Sequence, residues 1–244
     1  MKILFISLGC DKNLADSETM LGLLASRGYQ IVDTEEDADV IIVNTCCFIH
    51  DAMEESIETI LQMAEYKKSG SLKALIVTGC MAERYREEIT KEIPEVDAVL
   101  GTASYGHILD AVDGALAGQS YLKMEPLDTL PLVNTHHMVT TGGHYAYLKI
   151  AEGCDKHCTY CIIPKLRGNF RSVPMEHLLR EAKQLADDGV KEIILVAQET
   201  TLYGKDLYGE KKLPELLRRL CKISGIRWIR ILYCYPEEIT EELI

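Results

Sequence analysis

The sequence has no long apolar segment and no excess of positive charge. None of its apolar runs approaches the roughly 20 residues that span a bilayer, and 26 basic residues stand against 38 acidic ones, which gives a net charge of -12. The apolar start, residues 1–9, is too short for a secretory signal and runs directly into charged residues. These absences predict a cytoplasmic protein with no membrane segment and no general basic surface for nucleic acid. The acidic charge suits a basic protein partner.

Cysteine, by contrast, is frequent, with nine in 244 residues. In a reducing compartment this favours metal or redox chemistry over structural disulfides. The rest of the composition, 47% hydrophobic and 26% charged, is that of a globular protein. The length suffices for one large domain or two ordinary ones with a sizeable core.

The densest cysteine group is Cys154, Cys158 and Cys161, in a CxxxCxxC spacing. Three thiols on one short loop leave one over if they pair as disulfides, but they can hold three corners of an iron–sulfur cluster. A 4Fe–4S cluster usually takes four cysteines, so three leave one iron open to a cofactor or substrate. A zinc site is the alternative, with His157 as a candidate fourth ligand.

Residues 1–118 alternate short apolar strands with helices, which predicts an α/β domain with a doubly wound parallel sheet. The predicted strands are 2–8, 29–32, 40–45, 74–78 and 98–100, and the predicted helices are 16–28, 51–68, 83–91 and 107–117. Ligands of such sheets bind beyond the carboxyl ends of the strands.

Three other cysteines, Cys10, Cys46 and Cys80, follow the ends of three predicted strands; because they come earlier in the chain, we call them the first triplet and Cys154, Cys158 and Cys161 the second. The three thiols are therefore candidate metal ligands at one edge of the sheet, and inert buried cysteines are the alternative. Glycines at 9 and 79 favour the ligand interpretation, because a glycine lets the backbone approach a bulky group closely. Cys47 is predicted to point elsewhere and not to ligate.

The stretch 119–143 contains proline and glycine without periodicity and is predicted to be a linker. From 144 to 244, predicted strands (145–150, 192–197, 228–235) alternate with predicted helices (174–188, 214–223), which is the pattern of a βα barrel. These 101 residues (244 minus 143) are about half of the roughly 200 that a closed barrel needs. We therefore expect the first half of a barrel in a truncated chain, with 236–244 opening a further helix.

Together, these features resemble the radical S-adenosylmethionine (SAM) methylthiotransferase family. The resemblance rests on both cysteine triplets and on local wording: Gly-Cys-Asp-Lys-Asn at 9–13, Asn-Thr-Cys at 44–46 and Cys-Ile-Ile-Pro-Lys-Leu-Arg-Gly at 161–168. This wording is similar to the branch that methylthiolates the β-carbon of an aspartate in a small-subunit ribosomal protein. A tRNA-modifying branch with a similar layout is the alternative. Family members usually have glycine in place of Cys47, and they continue through further barrel strands into a C-terminal TRAM domain.

The resemblance implies two 4Fe–4S clusters and SAM as cofactors. Cys154, Cys158 and Cys161 would hold the cluster whose open iron binds SAM, so that an adenosyl radical can abstract hydrogen from an unactivated carbon. The cluster on the other triplet would supply sulfur, and a second SAM would donate the methyl group. The implied partners are the ribosomal protein, an electron donor such as flavodoxin or ferredoxin, and a sulfur source.

Five further side chains are candidates for contacts with SAM or substrate. Tyr160 is placed to contact the adenine, and simple packing is the alternative role for its ring. Gln198 and Glu199 could bind the SAM amino group, and the alternative is that both are solvated surface residues. Arg167 and Arg171 could meet carboxylates or lie in a solvated loop. No residue is assigned as a general acid or base. Functions of another class stay open: an iron–sulfur or zinc protein without SAM chemistry, or an inactive fragment.

Overall fold

The computed structural model describes residues 1–133 and 137–244, so residues 134–136 of the predicted linker lie outside the described part. It divides into two compact units, formed mainly by Met1–Thr129 and by Val139–Ile244. Within the described ranges, no helix is long and apolar enough to cross a lipid bilayer.

The first unit is built on six parallel strands. They are β1 (Lys2–Ser7), β2 (Gln30–Val32), β3 (Val40–Thr45), β4 (Ala74–Gly79), β5 (Ala98–Leu100) and β6 (Tyr121–Lys123). The helices are α1 (Asp11–Ser26), α2 (His50–Lys68), α3 (Cys80–Tyr85), α4 (Glu87–Glu92) and α5 (Ile108–Leu116), and a short 3-10 helix covers Tyr105–His107. The strand order β2-β1-β3-β4-β5-β6 is that of a flavodoxin-like doubly wound sheet.

The sheet of the first unit is covered by helices because its central strands are apolar throughout. All six residues of β3 and of β4 are buried. One core cluster joins the strands to α1 and α5, and it includes Ile3, Met20, Leu24, Ile42, Ile76 and Ile108. Helix α2 contacts β3 and β4 through buried residues of its own, among them Ile60 and Met63. Strands that are buried on both faces are expected of parallel sheets.

Three features of the first unit differ from the sequence prediction. Helix α1 begins at Asp11 rather than near residue 16, because Cys10 takes the N-cap position in extended conformation. The helix predicted at 83–91 is two short helices, since Arg86 adopts φ 48° and ψ -124° and interrupts the helical bonds. The start of the predicted linker, residues 121–123, forms β6, which pairs with β5.

The second unit contains a three-stranded parallel sheet in the order β11-β10-β7. Its strands are β7 (Tyr145–Lys149), β10 (Glu192–Val196) and β11 (Trp228–Ile231), and a small antiparallel pair joins β8 (Ala151–Glu152) to β9 (Arg171–Ser172). The helices are α6 (Ile163–Arg167), α7 (Met175–Asp187), α8 (Lys205–Tyr208) and α9 (Leu213–Leu220). Parallel strands in sequential order, each pair linked by helices, match the predicted part of a βα barrel.

The core of this second unit is formed by the apolar sides of its strands and of α7 and α9. It includes Leu148, Leu178, Ile193, Leu195, Leu216 and Leu220. The third strand ends at Ile231, four residues earlier than predicted. A helix was expected to begin at residue 236. The structure has only a single 3-10 turn there, Pro236–Glu238, which begins with a proline.

Candidate metal centres

The first cysteine triplet lies at the carboxyl edge of the six-stranded sheet. Strand pairing aligns Ser7 with Asn44 and Thr45 with Gly79, so β1, β3 and β4 end at nearly the same level. Cys46 and Cys80 directly follow the last two of these residues, and Cys10 comes three residues after β1. The β1–β3 boundary is also the switch point of this topology, where ligands bind in open α/β sheets. The backbone thus brings the three predicted residues to one edge.

The glycine beside Cys10 makes room for the neighbouring loop. Gly9 has φ +90°, and a Cβ atom built there would lie 2.5 Å from the Cβ and 2.9 Å from the sulfur of Cys46. Gly79, with φ +93°, would meet Asn44 and the Thr45 backbone in the same way. The two glycines were predicted to leave space for a bulky ligand. In the structure they let the three cysteine-bearing loops approach one another.

The backbone of Cys46 is fixed by the hydroxyl of Ser56 in α2. The Cys46 amide donates to the Ser56 oxygen at 3.0 Å, and the hydroxyl donates back to the Cys46 carbonyl at 2.9 Å. Cys46 and Cys80 are buried, whereas Cys10 is exposed at the rim. Cys47 is also buried, at 3% exposure, and its exclusion from ligation stays a prediction.

The second triplet, Cys154, Cys158 and Cys161, lies on the loop that follows β8, at the carboxyl end of the three-stranded sheet. The amide of Cys154 donates to the Gly168 carbonyl at 3.1 Å. Gly153, at φ +79°, has no room for a side chain because a Cβ there would overlap the carbonyl oxygens of Gly168 and Asn169. A turn bond of 2.9 Å joins the Cys161 amide to the Cys158 carbonyl. Local backbone contacts therefore shape the loop that carries the three thiols.

A tyrosine from beyond β11 reaches this loop. The Tyr235 hydroxyl lies 3.3 Å from the Cys158 sulfur, and the Lys156 ammonium is 4.6 Å from the centre of the Tyr235 ring. Lys156 also pairs with Glu238 at 2.6 Å. The contact with Cys158 is the main cause that raises the pKa of Tyr235 to about 12. The phenol therefore stays protonated and can donate to a thiolate at Cys158.

Beneath the loop, Glu152 is the centre of a buried charged network. Its carboxylate pairs with Lys149 at 3.1 Å and with Arg167 at 3.3 Å, and it accepts a bond of 2.8 Å from the Gln198 amide. The Lys149, Glu152 and Arg167 side chains are each less than a tenth exposed. Buried charges need such pairing. The network links side chains of β7, β8, α6 and the segment after β10 to one carboxylate.

Two side-chain oxygens near this base lack a hydrogen-bond donor. They are Oε1 of Gln198 and Oε2 of Glu199, both buried and without a partner among the described residues. Glu199 is 0% exposed, and its other oxygen accepts bonds from the amide and hydroxyl of Thr201. The solvated alternative considered for Glu199 is therefore wrong. Buried acceptors without donors indicate a ligand that brings its own N–H or O–H groups.

The negative charge of Glu199 affects the pKa of Cys154 in the cysteine loop. Burial is the main cause that raises the pKa of the Cys154 thiol, the Lys156 amide opposes the rise by hydrogen bonding, and the negative charges of Cys161 and Glu199 add to it. Burial and neighbouring negative charges disfavour the thiolate form of a cysteine, and a nearby cation offsets both effects. This environment suits a positively charged metal cluster and a cationic ligand.

The other candidate residues divide between surface and core. Tyr160 is 85% exposed, so the packing alternative for it is wrong. Arg167 and Arg171 are buried, which rules out the solvated loop for both. Arg167 pairs with Glu152, and Arg171 donates to the backbone carbonyls of Arg167 and Asn169. Both guanidinium groups thus support the loop.

The donor atoms of the two cysteine triplets are not gathered as tightly as the ligands of a single zinc ion. Tetrahedral zinc holds its sulfurs at about 2.3 Å and thus about 3.8 Å apart. Among the described residues, neither cysteine triplet has its three sulfurs within 4.8 Å of one another; the one set of three donors that close is His50, Asp51 and Glu54, all exposed. No disulfide links any of the nine cysteines. His157, the candidate fourth zinc ligand, is exposed and belongs to no such set of described residues.

Three residues that contact the candidate centres were not predicted from the sequence. Asn13 bonds to the loops of the first triplet, and Glu152 and Tyr235 support the second. One signal was available for Glu152, because Lys149 and Glu152 are charges inside an otherwise apolar segment and buried charges must pair. The partners of Asn13 and Tyr235 lie 32 and 77 residues away, so no local pattern indicates them.

Two family models match the chain. Residues 2–101 match the model described as "Uncharacterized protein family UPF0004", and residues 148–244 match the model described as "Radical SAM superfamily". A solved structure of TsrM, a radical SAM methyltransferase from Kitasatospora setae with cobalamin and a [4Fe-4S] cluster, is similar with a TM-score of 0.60 at 10% identity. That similarity covers 99% of this chain and 57% of TsrM. It supports the fold.

Curated relatives with higher identity carry the name ribosomal protein uS12 methylthiotransferase RimO. The protein from Lachnoclostridium phytofermentans is 67% identical over the whole chain, which covers 56% of that relative. The proteins from Clostridioides difficile and Symbiobacterium thermophilum are 52% and 51% identical over the whole chain, which covers 55% and 50% of them. The chain thus spans about half the length of the curated relatives it matches. These matches confirm the predicted resemblance to the radical SAM methylthiotransferases.

Proposed function

We propose that this chain is part of a radical SAM methylthiotransferase that adds a methylthio group to the β-carbon of an aspartate in a small-subunit ribosomal protein. One observation carries the proposal: two separate three-cysteine sets each lie at the carboxyl edge of their own parallel sheet. A three-thiol set leaves one coordination position of a 4Fe–4S cluster for a non-protein ligand. Two such positions in one chain match a reaction that needs both a radical and a sulfur donor.

Each triplet would hold one 4Fe–4S cluster, the first on Cys10, Cys46 and Cys80 and the second on Cys154, Cys158 and Cys161. When bound, the second cluster with SAM supplies one-electron chemistry that can break an unactivated C–H bond, which no general base in a protein can do. The protein's part is to hold the thiolates, to exclude water and to fix the orientation of SAM.

Glu199 and Gln198 are the residues that would orient SAM beside the cysteine loop. Each has a buried oxygen without a donor, and the amino group of SAM is a cation with N–H donors that would complete both. Glu152 in turn holds Gln198 through its 2.8 Å bond. The exposed Tyr160 ring lies on the same loop as the cysteines and is free to stack on an adenine from the solvent side.

The choice of a protein substrate over tRNA rests on charge and on the relatives. The chain carries a net charge of -12, which opposes binding to a polyanion and favours a basic protein. The curated relatives are named for the ribosomal protein uS12. An electron donor such as flavodoxin or ferredoxin and a sulfur source complete the reaction.

Mass spectrometry of ribosomal proteins tests this function. Cells that lack the gene for the whole protein should contain a small-subunit protein that is lighter by one methylthio group, and the intact gene should restore the mass. A gene with Cys10, Cys46 and Cys80 changed to alanine should fail to restore it. Unchanged ribosomal proteins together with a lost tRNA modification would instead support the tRNA-modifying alternative.

A further inference from the structure

Asn13 is a buried amide at the centre of the first cysteine triplet. It is the third residue of α1, it follows Cys10 by three positions, and its exposure is 0%. A polar side chain that is fully buried in the first turn of a helix needs hydrogen-bond partners nearby. Those partners lie on the loops that carry the cysteines.

The amide nitrogen of Asn13 joins two of the three loops. It donates to the Leu8 carbonyl at 3.0 Å and to the Thr45 carbonyl at 2.8 Å. Leu8 comes two residues before Cys10, and Thr45 directly precedes Cys46. Both N–H groups of the Asn13 carboxamide therefore donate to backbone carbonyls at the carboxyl ends of β1 and β3.

The amide oxygen of Asn13 faces the third loop. It lies 3.9 Å from the sulfur of Cys80, which follows β4. Since the two N–H groups are committed to carbonyls on the other side, the orientation of the amide is determined by hydrogen bonding. One side chain therefore contacts the segments of all three cysteines.

Neighbouring polar side chains hold Asn13 itself in place. Its backbone carbonyl accepts bonds of 2.9 Å from both the Asn44 amide and the Ser17 hydroxyl. Asn44 also donates to the Ser17 oxygen at 2.9 Å. Asn44 and Ser17 are buried, so this network is shielded from competing water.

We propose that Asn13 is a positioning residue that sets the separation of the Cys10, Cys46 and Cys80 thiols before any metal binds. Only a side chain with two donors and one acceptor at this length makes these contacts. Aspartate has the same shape but no N–H, and its charge would oppose the Leu8 and Thr45 carbonyls. The identity of the metal rests on the proposed function, whereas the placement of the thiols does not.

The test uses this chain with Cys154, Cys158 and Cys161 changed to alanine, so that only the first triplet can hold iron. After anaerobic reconstitution, iron and sulfide per chain and the electron paramagnetic resonance spectrum are compared for this parent and for Asn13→Asp. We expect Asn13→Asp to lose most of the iron and approach a variant that also lacks Cys10, Cys46 and Cys80. Gln62→Glu, the same amide-to-carboxylate change at an exposed position of α2, should retain the parent's iron.

A second readout separates misplaced thiols from an unfolded chain and from an error in the proposed function. In the metal-free chain, dibromobimane should join Cys10 to Cys46 in the parent and much less in Asn13→Asp, as counted by mass spectrometry of the joined peptides. Circular dichroism and the iron held by the second triplet, measured with all cysteines present, report folding. If Asn13→Asp keeps the parent's iron, or its thiols join as readily, the inference is wrong. If the parent binds no iron but the cross-link depends on Asn13, the metal assignment fails and the positioning role stands.

Discussion

The Tyr235 hydroxyl lies 3.3 Å from the sulfur of Cys158. The segment after β11 thereby contacts the cysteine loop, although 77 residues separate the two side chains. Lys156 lies against the Tyr235 ring and pairs with Glu238, which fastens the same segment from a second side. Hydrogen bonds to cysteine sulfur are among the factors that set the potential of an iron–sulfur cluster.

Replacement of Tyr235 by phenylalanine should make the reduction potential of the second cluster more negative. With a cluster bound, Cys158 would be a thiolate and the phenol 3.3 Å away would be the donor, and a donor stabilises the reduced, more negative state. A redox titration followed by electron paramagnetic resonance, without SAM, measures the shift. Tyr160→Phe is the matched control, because that ring is exposed on the same loop. An unchanged reduction potential in Tyr235→Phe would show that the phenol does not influence the cluster.

Alanine at Gly9 should destabilise the first unit more than alanine at Gly28. Both glycines have positive φ, +90° and +87°, so both variants carry the strain of about 1–2 kcal/mol for a left-handed residue. A Cβ at Gly9 would overlap Cys46, whereas one at Gly28 meets nothing within 4 Å. We expect about 1–3 kcal/mol of additional loss from the overlap. Urea unfolding of the metal-free chain measures the difference, and equal losses would contradict the packing described for Gly9.

Glu199→Gln should weaken SAM binding and stabilise the chain without SAM. The buried carboxylate has one oxygen without a donor, which costs about 1–3 kcal/mol until a ligand supplies one. The neutral amide removes the charge that attracts the SAM amino group, so we expect about a tenfold or larger loss of affinity. Calorimetric SAM titration and thermal unfolding check the two effects, with Glu241→Gln at the surface as control. Unaltered SAM binding would exclude Glu199 from the site.

The stability that Glu238 contributes should disappear in acid. Hydrogen bonds from Lys156 and Lys211 lower the pKa of Glu238 from 4.5 to about 2. Because the unfolded chain takes up the proton first, this contribution is complete above pH 4.5 and is lost as the pH falls to about 2. Glu238→Gln should therefore lower the free energy of unfolding at pH 6, with the gap closing towards pH 2. A gap that does not change with pH would show that the ion pairs contribute nothing.

The parts of the fold that local patterns determine agreed with the sequence prediction. Strands β3 and β4 are continuous apolar runs, and both were predicted within one residue because burial on both faces requires such runs. The cysteines reached one sheet edge because parallel topology brings the carboxyl ends of its strands together. Strand β6 was not predicted, since its three residues are partly exposed and are held in place by pairing with β5.

The supporting residues of the candidate sites escaped prediction because their roles are tertiary. The bonds of Asn13 to Thr45 and of Gln198 to Glu152 join residues 32 and 46 positions apart. Nothing in a single stretch of sequence indicates which buried polar group a distant loop will meet. The break at Arg86, likewise, follows from a backbone conformation that its sequence does not signal.

Iron and sulfide analysis of the reconstituted chain is the most direct test of whether the two triplets hold two clusters. Two 4Fe–4S clusters predict about eight iron and eight sulfide per chain. Alanine at Cys10, Cys46 and Cys80 should leave about four of each, alanine at Cys154, Cys158 and Cys161 should also leave about four, and the combined variant should bind almost none. Zinc in place of iron, or an iron content that does not fall when Cys10, Cys46 and Cys80 are removed, would contradict the two-cluster account.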